Sequence, residues 1–263
     1  MKKLFLIKEY IKYYFSAKRG GHGVHSPFVF DFVETILEDK RPFYAFDEIK
    51  QYRKILYSED TLLKIEDFGA GSHKNNQLQR KVSEIAKTAG RNERFGKILF
   101  RIVDKYQFEN IVELGTSLGI ATSYLAKANQ KANVTTIEGS PEIAHRASKT
   151  FEFLQLKNIH QVTGNFDHVL ASTLAKLKKV DLFFIDGNHR EEPTIQYYTQ
   201  VKPYLNEHSM VIFDDIHWSE GMLRAWETIK KDSAVTLSID LFFIGIVLFK
   251  KDIKEKQHFV LEY

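Results

Sequence analysis

The stretch IVELGTSLGIATSYLA, residues 111–126, constrains the fold of this chain more than any other segment. Ile111–Leu114 is a short apolar run with the character of a buried strand. Gly115 and Gly119 then bracket Thr116, Ser117 and Leu118 before a helix opens at Ile120. A strand that turns through glycines into a helix lets the backbone approach a ligand closely and offers it unpaired N–H groups. The turn therefore reads as a nucleotide-cradling loop. A dinucleotide turn is spaced G-x-G-x-x-G, whereas this one is G-x-x-x-G with an acid two residues before its first glycine. Glu113 could face an ammonium but would repel a phosphate, which favours a nucleotide with a cationic amino-acid portion over a pyrophosphate.

A second signal follows at a matching distance. VTTIEGSPEIAHRA, residues 134–147, is a β-branched strand ending in Glu138, followed by Gly139 and by Ser140-Pro141, a pair suited to a helix N-cap and first helical position. Glu138 lies 25 residues after Glu113 (138 − 113). That is close to the step of about 20 residues at which an acid meets a ribose in such sheets. Two acids at adjacent strand ends imply one bound nucleoside.

On these residues the chain resembles the class I S-adenosylmethionine-dependent methyltransferases, and the likeness continues to about residue 250. It implies an α/β, Rossmann-like, doubly wound sheet of seven strands in the order 3-2-1-4-5-7-6, strand 7 antiparallel, here with an N-terminal helical extension. It implies S-adenosylmethionine as cofactor, with Glu113, Gly115, Thr116, Ser117 and Gly119 around the methionine end and Glu138 and Gly139 at the ribose. Ser117 departs from the pattern, since many members carry a further glycine there. In VTGNF, residues 162–166, Asn165 stands where the family commonly has an aspartate near the adenine, and Phe166 would cover the ring. An asparagine can accept from the exocyclic amine or donate to a ring nitrogen. Gly164-Asn165 would also form a plain turn by itself.

Strands are expected at 111–114, 134–138, 158–163, 180–186, 210–215, 235–242 and 245–250, with helices between them and a tight turn near Gly245. Residues 1–105 read as a mostly helical extension or cover, and 106–263 as the cofactor-binding domain. At 263 residues and 43% hydrophobic, the chain can bury one large core.

VDLFFID and MVIFDD put Asp186, Asp214 and Asp215 at carboxyl ends of strands, where open α/β sheets bind ligands. Asp186 is expected beside the nucleoside site. Three converging carboxylates repel one another unless a cation lies between them, and oxygen ligands suit magnesium, manganese or calcium. The aspartates could equally cap the helices that follow. DGNHREEPTIQYY and DDIHWSEG resemble small-molecule O-methyltransferases of catechol and macrolide-sugar type. In those relatives the equivalent acids hold a divalent cation against substrate oxygens. A lysine three residues after the first aspartate is replaced here by His189, which would act as the base, with His217 as its competitor.

The expected reaction is methyl transfer from S-adenosylmethionine to an oxygen of a small-molecule acceptor, with Asp186 and His189 catalytic. A cation-independent methyltransferase acting on RNA or another macromolecule is the alternative within that class. A non-catalytic nucleoside-binding scaffold is the alternative outside it. Net charge +4 is too mild and scattered to argue for nucleic acid. With no cysteine, disulfides and thiolate metal sites are excluded. The apolar run in MKKLFLIKEYIKYYF is too short for a signal peptide or membrane span, so a cytoplasmic protein without membrane contact is expected, with a homodimer compatible. IEDFGAGSHKNN, residues 65–76, mimics a nucleotide loop but is expected to be a lid edge or surface turn, with Gly69 and Gly71 as hinges. His22 and His25 lack a third ligand nearby, which favours a covering or packing role over metal binding. Tyr10, Tyr13, Tyr14 and Phe15 read as core or interface.

Overall fold

The computed structural model describes residues 2–20, 25–65, 78–89 and 93–262. Its strands are β1 (Leu62–Ile65), β2 (Leu78–Lys81), β3 (Asn110–Leu114), β4 (Asn133–Glu138), β5 (Ile159–Thr163), β6 (Leu182–Ile185), β7 (Met210–Asp214), β8 (Leu237–Asp240), β9 (Ile244–Leu248) and β10 (Gln257–Val260). β1 and β2 form an antiparallel pair, and the remaining eight form one sheet in the order β10-β8-β9-β7-β6-β3-β4-β5. β9 runs antiparallel to both β7 and β8. Leaving β10 aside, this is the expected order, with the seventh strand reversed.

Three expectations are corrected. The sheet has eight strands rather than seven, because β10 joins parallel to β8 from Gln257↔Leu237 to Val260↔Asp240. Its four residues are too few to show a period of two. The segment before residue 105 contains β1 and β2 among its helices, and their charged, half-exposed sequences gave no strand pattern. The turn placed near Gly245 lies at Leu241–Phe243 instead, and Gly245 is inside β9.

The chain divides into two compact units, Lys40–Thr173 and Met1–Asp39 with Leu174–Tyr263. In the first, β3, β4 and β5 are parallel. From Ile111 onward β3 is buried, as a central strand covered on both faces must be. Helix Glu93–Tyr106 buries Phe95, Ile98, Leu99, Ile102 and Val103, a stripe at helical spacing. Helix Tyr44–Tyr57 contributes Phe46, Ile49 and Leu56 to a core shared with Phe100 and Tyr124. Phe46 and Phe100 meet edge to face at 4.9 Å. Helix Pro141–Phe153 is fastened to the chain just beyond helix Tyr44–Tyr57 through Arg146. Its guanidinium donates to both oxygens of Glu59 at 2.9 and 2.5 Å and to the Tyr52 hydroxyl at 2.9 Å. That guanidinium holds the Glu59 carboxyl below the usual carboxylate range.

In the second unit, β6 and β7 are buried along their whole lengths. Helix Glu220–Lys231 starts at a Ser219 cap whose hydroxyl accepts from Met222 N at 3.2 Å. The helix lays Trp226 over Gly245. Helix Lys2–Ser16 is held by the Tyr13 hydroxyl, which donates to Leu261 O at 2.5 Å, and by Tyr10 and Tyr13 rings 5.0 and 5.2 Å from that of Phe242.

Gly245 has no room for a side chain, since a β-carbon there would lie 2.7 Å from the Trp226 ring. Gly245→Ala should therefore cost about 1–3 kcal/mol in urea unfolding. Combining it with Trp226→Phe should cost less than the sum of the single changes, because the two sites share one contact.

Candidate functional site

The turn after β3 is hung from the end of β4. Gly115 N and Thr116 N both donate to Ile137 O, at 2.9 and 3.3 Å, and Gly119 N donates to Thr116 O at 2.9 Å. The backbone is left-handed at Gly115, Ser117 and Gly119, with φ of 101°, 48° and 80°. At Gly119 a β-carbon would also meet the Phe151 ring at 2.5 Å, so conformation and packing both demand glycine. Ser117 adopts the left-handed conformation without being glycine, a strain of roughly 1–2 kcal/mol. Its N–H is rewarded by a 2.9 Å bond to Glu138 Oε2.

Glu138 is a half-buried clamp. Its second oxygen accepts from Ser140 N at 3.0 Å, so one carboxylate joins the β3 turn to the start of helix Pro141–Phe153. Ser140 occupies the expected N-cap position with Pro141 after it, but its hydroxyl makes no capping bond. Gly139 is half-buried beside it.

Glu113 lies beneath the loop with no exposed surface. Its Oε2 accepts from the hydroxyls of Thr122 at 2.5 Å and Thr136 at 2.6 Å. Thr136 has one hydroxyl proton, so at 2.6 Å the Thr116 hydroxyl must donate to Thr136 in turn. Three threonines thus converge on one carboxylate. Burial raises the Glu113 carboxyl to about 7, against the lowering effect of the Thr122 and Thr136 hydrogen bonds, with Glu138 adding a smaller upward push. The side chain expected to face an ammonium is enclosed by hydroxyls of the following helix and of β4.

Asn165 and Phe166 are half-buried at the start of helix Phe166–Ala175. Asn165 Oδ1 accepts from Asp167 N at 3.0 Å, a turn bond that leaves its amide nitrogen to other partners.

The acids of the other unit gather differently from the expected set. Asp214 ends β7, is buried, and presents a ligand atom within 4.8 Å of ligand atoms of both Asp186 and His189. Asp215 is not in that trio. Its carboxylate lies 4.0 Å from His189 Nδ1, while His189 Nε2 lies 3.8 Å from Asp186 Oδ1. The loop between Asp186 and Arg190 is pinned by Asn188, whose amide donates to the Tyr197 hydroxyl at 2.8 Å and accepts from Arg190 Nε at 2.7 Å. Two carboxylates and an imidazole at this separation fit a divalent cation, and the nitrogen donor moves the preference from magnesium and calcium toward manganese, iron or zinc.

His217, the competing base, is buried and committed elsewhere. Its Nε2 lies 2.9 Å from Asp240 Oδ2, and its ring stacks on Phe242 at 5.0 Å. His25 is exposed, whereas His22 and the Gly69-Gly71 loop fall outside the described residues.

Residues 112–216 match the family model described as a methyltransferase domain. The chain has the fold of a class I methyltransferase. Among solved structures the chain is similar to an O-methyltransferase from Bacillus cereus in complex with SAH, with 19% identity and a TM-score of 0.54. The match covers 84% of this chain and 96% of that one. It is also similar to cofactor-bound Rv0187 from MTB, with 16% identity and a TM-score of 0.56, covering 85% of this chain and 97% of that one. Both likenesses are of fold. A tRNA (guanine-N(7)-)-methyltransferase of Mycoplasma mobile is 29% identical over 110 residues. That match takes in 39% of this chain and 55% of the relative's length.

Within residues 112–216, sequence reasoning missed Thr122, Thr136 and Thr150. Thr136 is the register partner of Glu113 across β3 and β4, and Thr150 donates to Leu118 O at 2.7 Å. The signal was there for Thr122, which follows the loop in the first turn of its helix, but only a strand register could reveal Thr136.

A carboxyl raised on folding favours the native state while it is protonated. Its stabilising effect is full below about 4.5, the unfolded value, and is lost as pH rises through about 7. Urea unfolding should therefore show stability falling by on the order of 3 kcal/mol across that window. Glu113→Gln should remove this slope, and Glu113→Leu should destabilise at every pH by leaving the threonine hydroxyls without an acceptor.

Proposed function

We propose that this chain is an S-adenosylmethionine-dependent methyltransferase acting on an oxygen of a small-molecule acceptor, with a divalent cation at Asp186, His189 and Asp214. The observation that carries the reading is the Glu138 clamp beside the left-handed loop. Each of its oxygens accepts one backbone N–H, from Ser117 and from Ser140, which fixes the carboxylate at the carboxyl end of β4 beside the loop, and a carboxylate is the acceptor that two neighbouring ribose hydroxyls require. Gly115, Thr116, Ser117 and Gly119 would surround the methionine end, Gly139 would let the chain pass close to the ribose, and Asn165 and Phe166 would meet the adenine. Glu113 acts on this site from below, holding the loop in shape rather than touching the cofactor.

The cofactor supplies an electrophilic methyl on a sulfonium, which an acceptor oxygen attacks in line. Protein groups then have to hold that oxygen in near-attack geometry and remove its proton. Asp186 and Asp214 bring negative charge, and His189 brings a neutral nitrogen through Nε2. A cation held by these residues would lower the pKa of a bound hydroxyl. Asp215 places its carboxylate 4.0 Å from His189 Nδ1, so that negative charge lies on that side of the ring. The O-methyltransferase neighbour and the unpatterned charge support a small acceptor. The tRNA methyltransferase relative supports an RNA acceptor instead, a reading that predicts strongly salt-dependent binding.

Titration calorimetry with S-adenosylhomocysteine should give measurable affinity, reduced roughly 10- to 100-fold in Glu138→Gln, since hydrogen bonds to a charged acceptor contribute about 1.5–3 kcal/mol. Unaltered affinity in that variant would remove Glu138 from the ribose. Excess chelator should abolish methyl transfer while leaving cofactor affinity intact. Manganese titration should show binding weakened at least about tenfold in Asp214→Asn and in His189→Ala. Manganese binding retained in His189→Ala, with an altered pH–rate profile, would make His189 the general base. Full activity in chelator would return the aspartates to capping.

A further inference from the structure

Helix Lys2–Ser16 shows two faces. Its inner face carries buried Tyr13 and Glu9 and is tied to the C-terminal strand region through Leu261 and Phe242. At 100° per residue, Leu4, Ile7, Ile11, Tyr14 and Phe15 fall within one stripe about 100° wide on the opposite side. These side chains are 73%, 56%, 51%, 50% and 83% exposed. Tyr14 and Phe15 touch each other edge to face, and Arg19 lies over the Tyr14 ring. Isolated exposed apolar residues are ordinary, but five aligned on one helix mark an interaction surface.

The charges around the stripe decide its occupant. Lys3 flanks it on one side and Lys8 and Lys12 on the other, all exposed, with Lys18 and Arg19 just beyond the helix. The helix has a single acid, Glu9, on the buried side and paired with Lys12 at 2.6 Å. A second copy laid against the same stripe would oppose lysines to lysines in either orientation. One helical face of this length also falls well short of the roughly 800 Å² per partner that a stable dimer buries. Nucleic acid would satisfy the lysines but not the aliphatic side chains. An apolar stripe between rows of lysines matches a surface that is anionic outside and apolar a few ångströms in.

We propose that helix Lys2–Ser16 is a membrane-surface contact, seating Leu4, Ile7, Ile11 and Phe15 among the acyl chains of an anionic lipid layer with Lys3, Lys8 and Lys12 on its headgroups. The helix is too short and too charged to span, in keeping with the absence of any spanning helix among the described residues. The contact is peripheral and reversible. It replaces the expectation of no membrane contact and is independent of the methyl-transfer reading.

The test is co-sedimentation of the full chain with vesicles of phosphatidylcholine alone and of phosphatidylcholine mixed equally with phosphatidylglycerol. Binding is expected to the mixed vesicles only, and to weaken as salt rises. Ile7→Asp with Ile11→Asp should lower it at least about tenfold at an unchanged circular-dichroism melt, because both positions are already in solvent. Lys3→Glu with Lys8→Glu should lower it comparably while leaving the stripe intact. Failure to sediment with the anionic vesicles at low salt overturns the proposal. So does a wild-type dimer that Ile7→Asp with Ile11→Asp converts to monomer, which would assign the stripe to a second copy. Retention of an acidic protein by the wild type but not by the double-aspartate variant, without vesicle binding, overturns it in favour of a protein partner.

Discussion

The β3 turn depends on a carboxylate that solvent never reaches. Glu113 sits under the loop and gathers the hydroxyls of Thr122 and Thr136, and through Thr136 that of Thr116. An unpaired charge at that depth would be expensive, so the site either satisfies it with short hydrogen bonds or keeps a proton on it. Thr122 and Thr136 supply the hydrogen bonds, and with Thr116 behind Thr136 they fix the strand end, the loop and the first turn of the following helix as one piece. The left-handed backbone at Ser117, unfavourable by itself, becomes sustainable because the loop around it is held from below by Glu113 and from the side by Glu138.

The two glutamates show how position assigns different work to the same side chain. Glu113 lies inside β3, paired in register with Thr136, and accepts from the hydroxyls of Thr122 and Thr136. Glu138 is the last residue of β4, where the backbone is about to leave the sheet, and so finds the N–H groups of Ser117 and Ser140. Asp214 and Asp215 repeat the contrast one residue apart. The first is still in β7 and buried, and the second has turned into a left-handed conformation with φ of 59°. That turn sends its carboxylate toward His189 instead of into the cluster with Asp186.

What the sequence revealed follows the reach of each signal. The parallel core was legible because central strands such as LFFI and MVIF are continuous apolar runs, because IVEL is interrupted only by Glu113, and because turn chemistry marked where each one stopped. The reversed strand was legible from its place in the resembling family. β1, β2 and β10 were not, being short segments whose pairing depends on a distant partner. At the candidate site, the residue types and the strand ends were readable, but directions were not. Nothing in the letters says that Glu113 points down, that His189 turns toward Asp186, or that His217 is taken by Asp240. Those outcomes depend on rotamers and strand register, which pattern and spacing do not encode.

The outermost strands of the large sheet are β5 and β10. Both are short and partly polar. β5 carries His160 and Gln161, β10 carries Gln257 and His258, and each is only four or five residues long. An open edge of backbone donors and acceptors is a template on which another chain can lengthen the sheet, and long apolar edges are where aggregation starts. With its Val-, Ile- and Phe-rich strands kept to the middle, the sheet offers a would-be intruder a brief margin of imidazoles and amides. The hydrophobic density that the central strands require is thereby kept from becoming a liability for solubility.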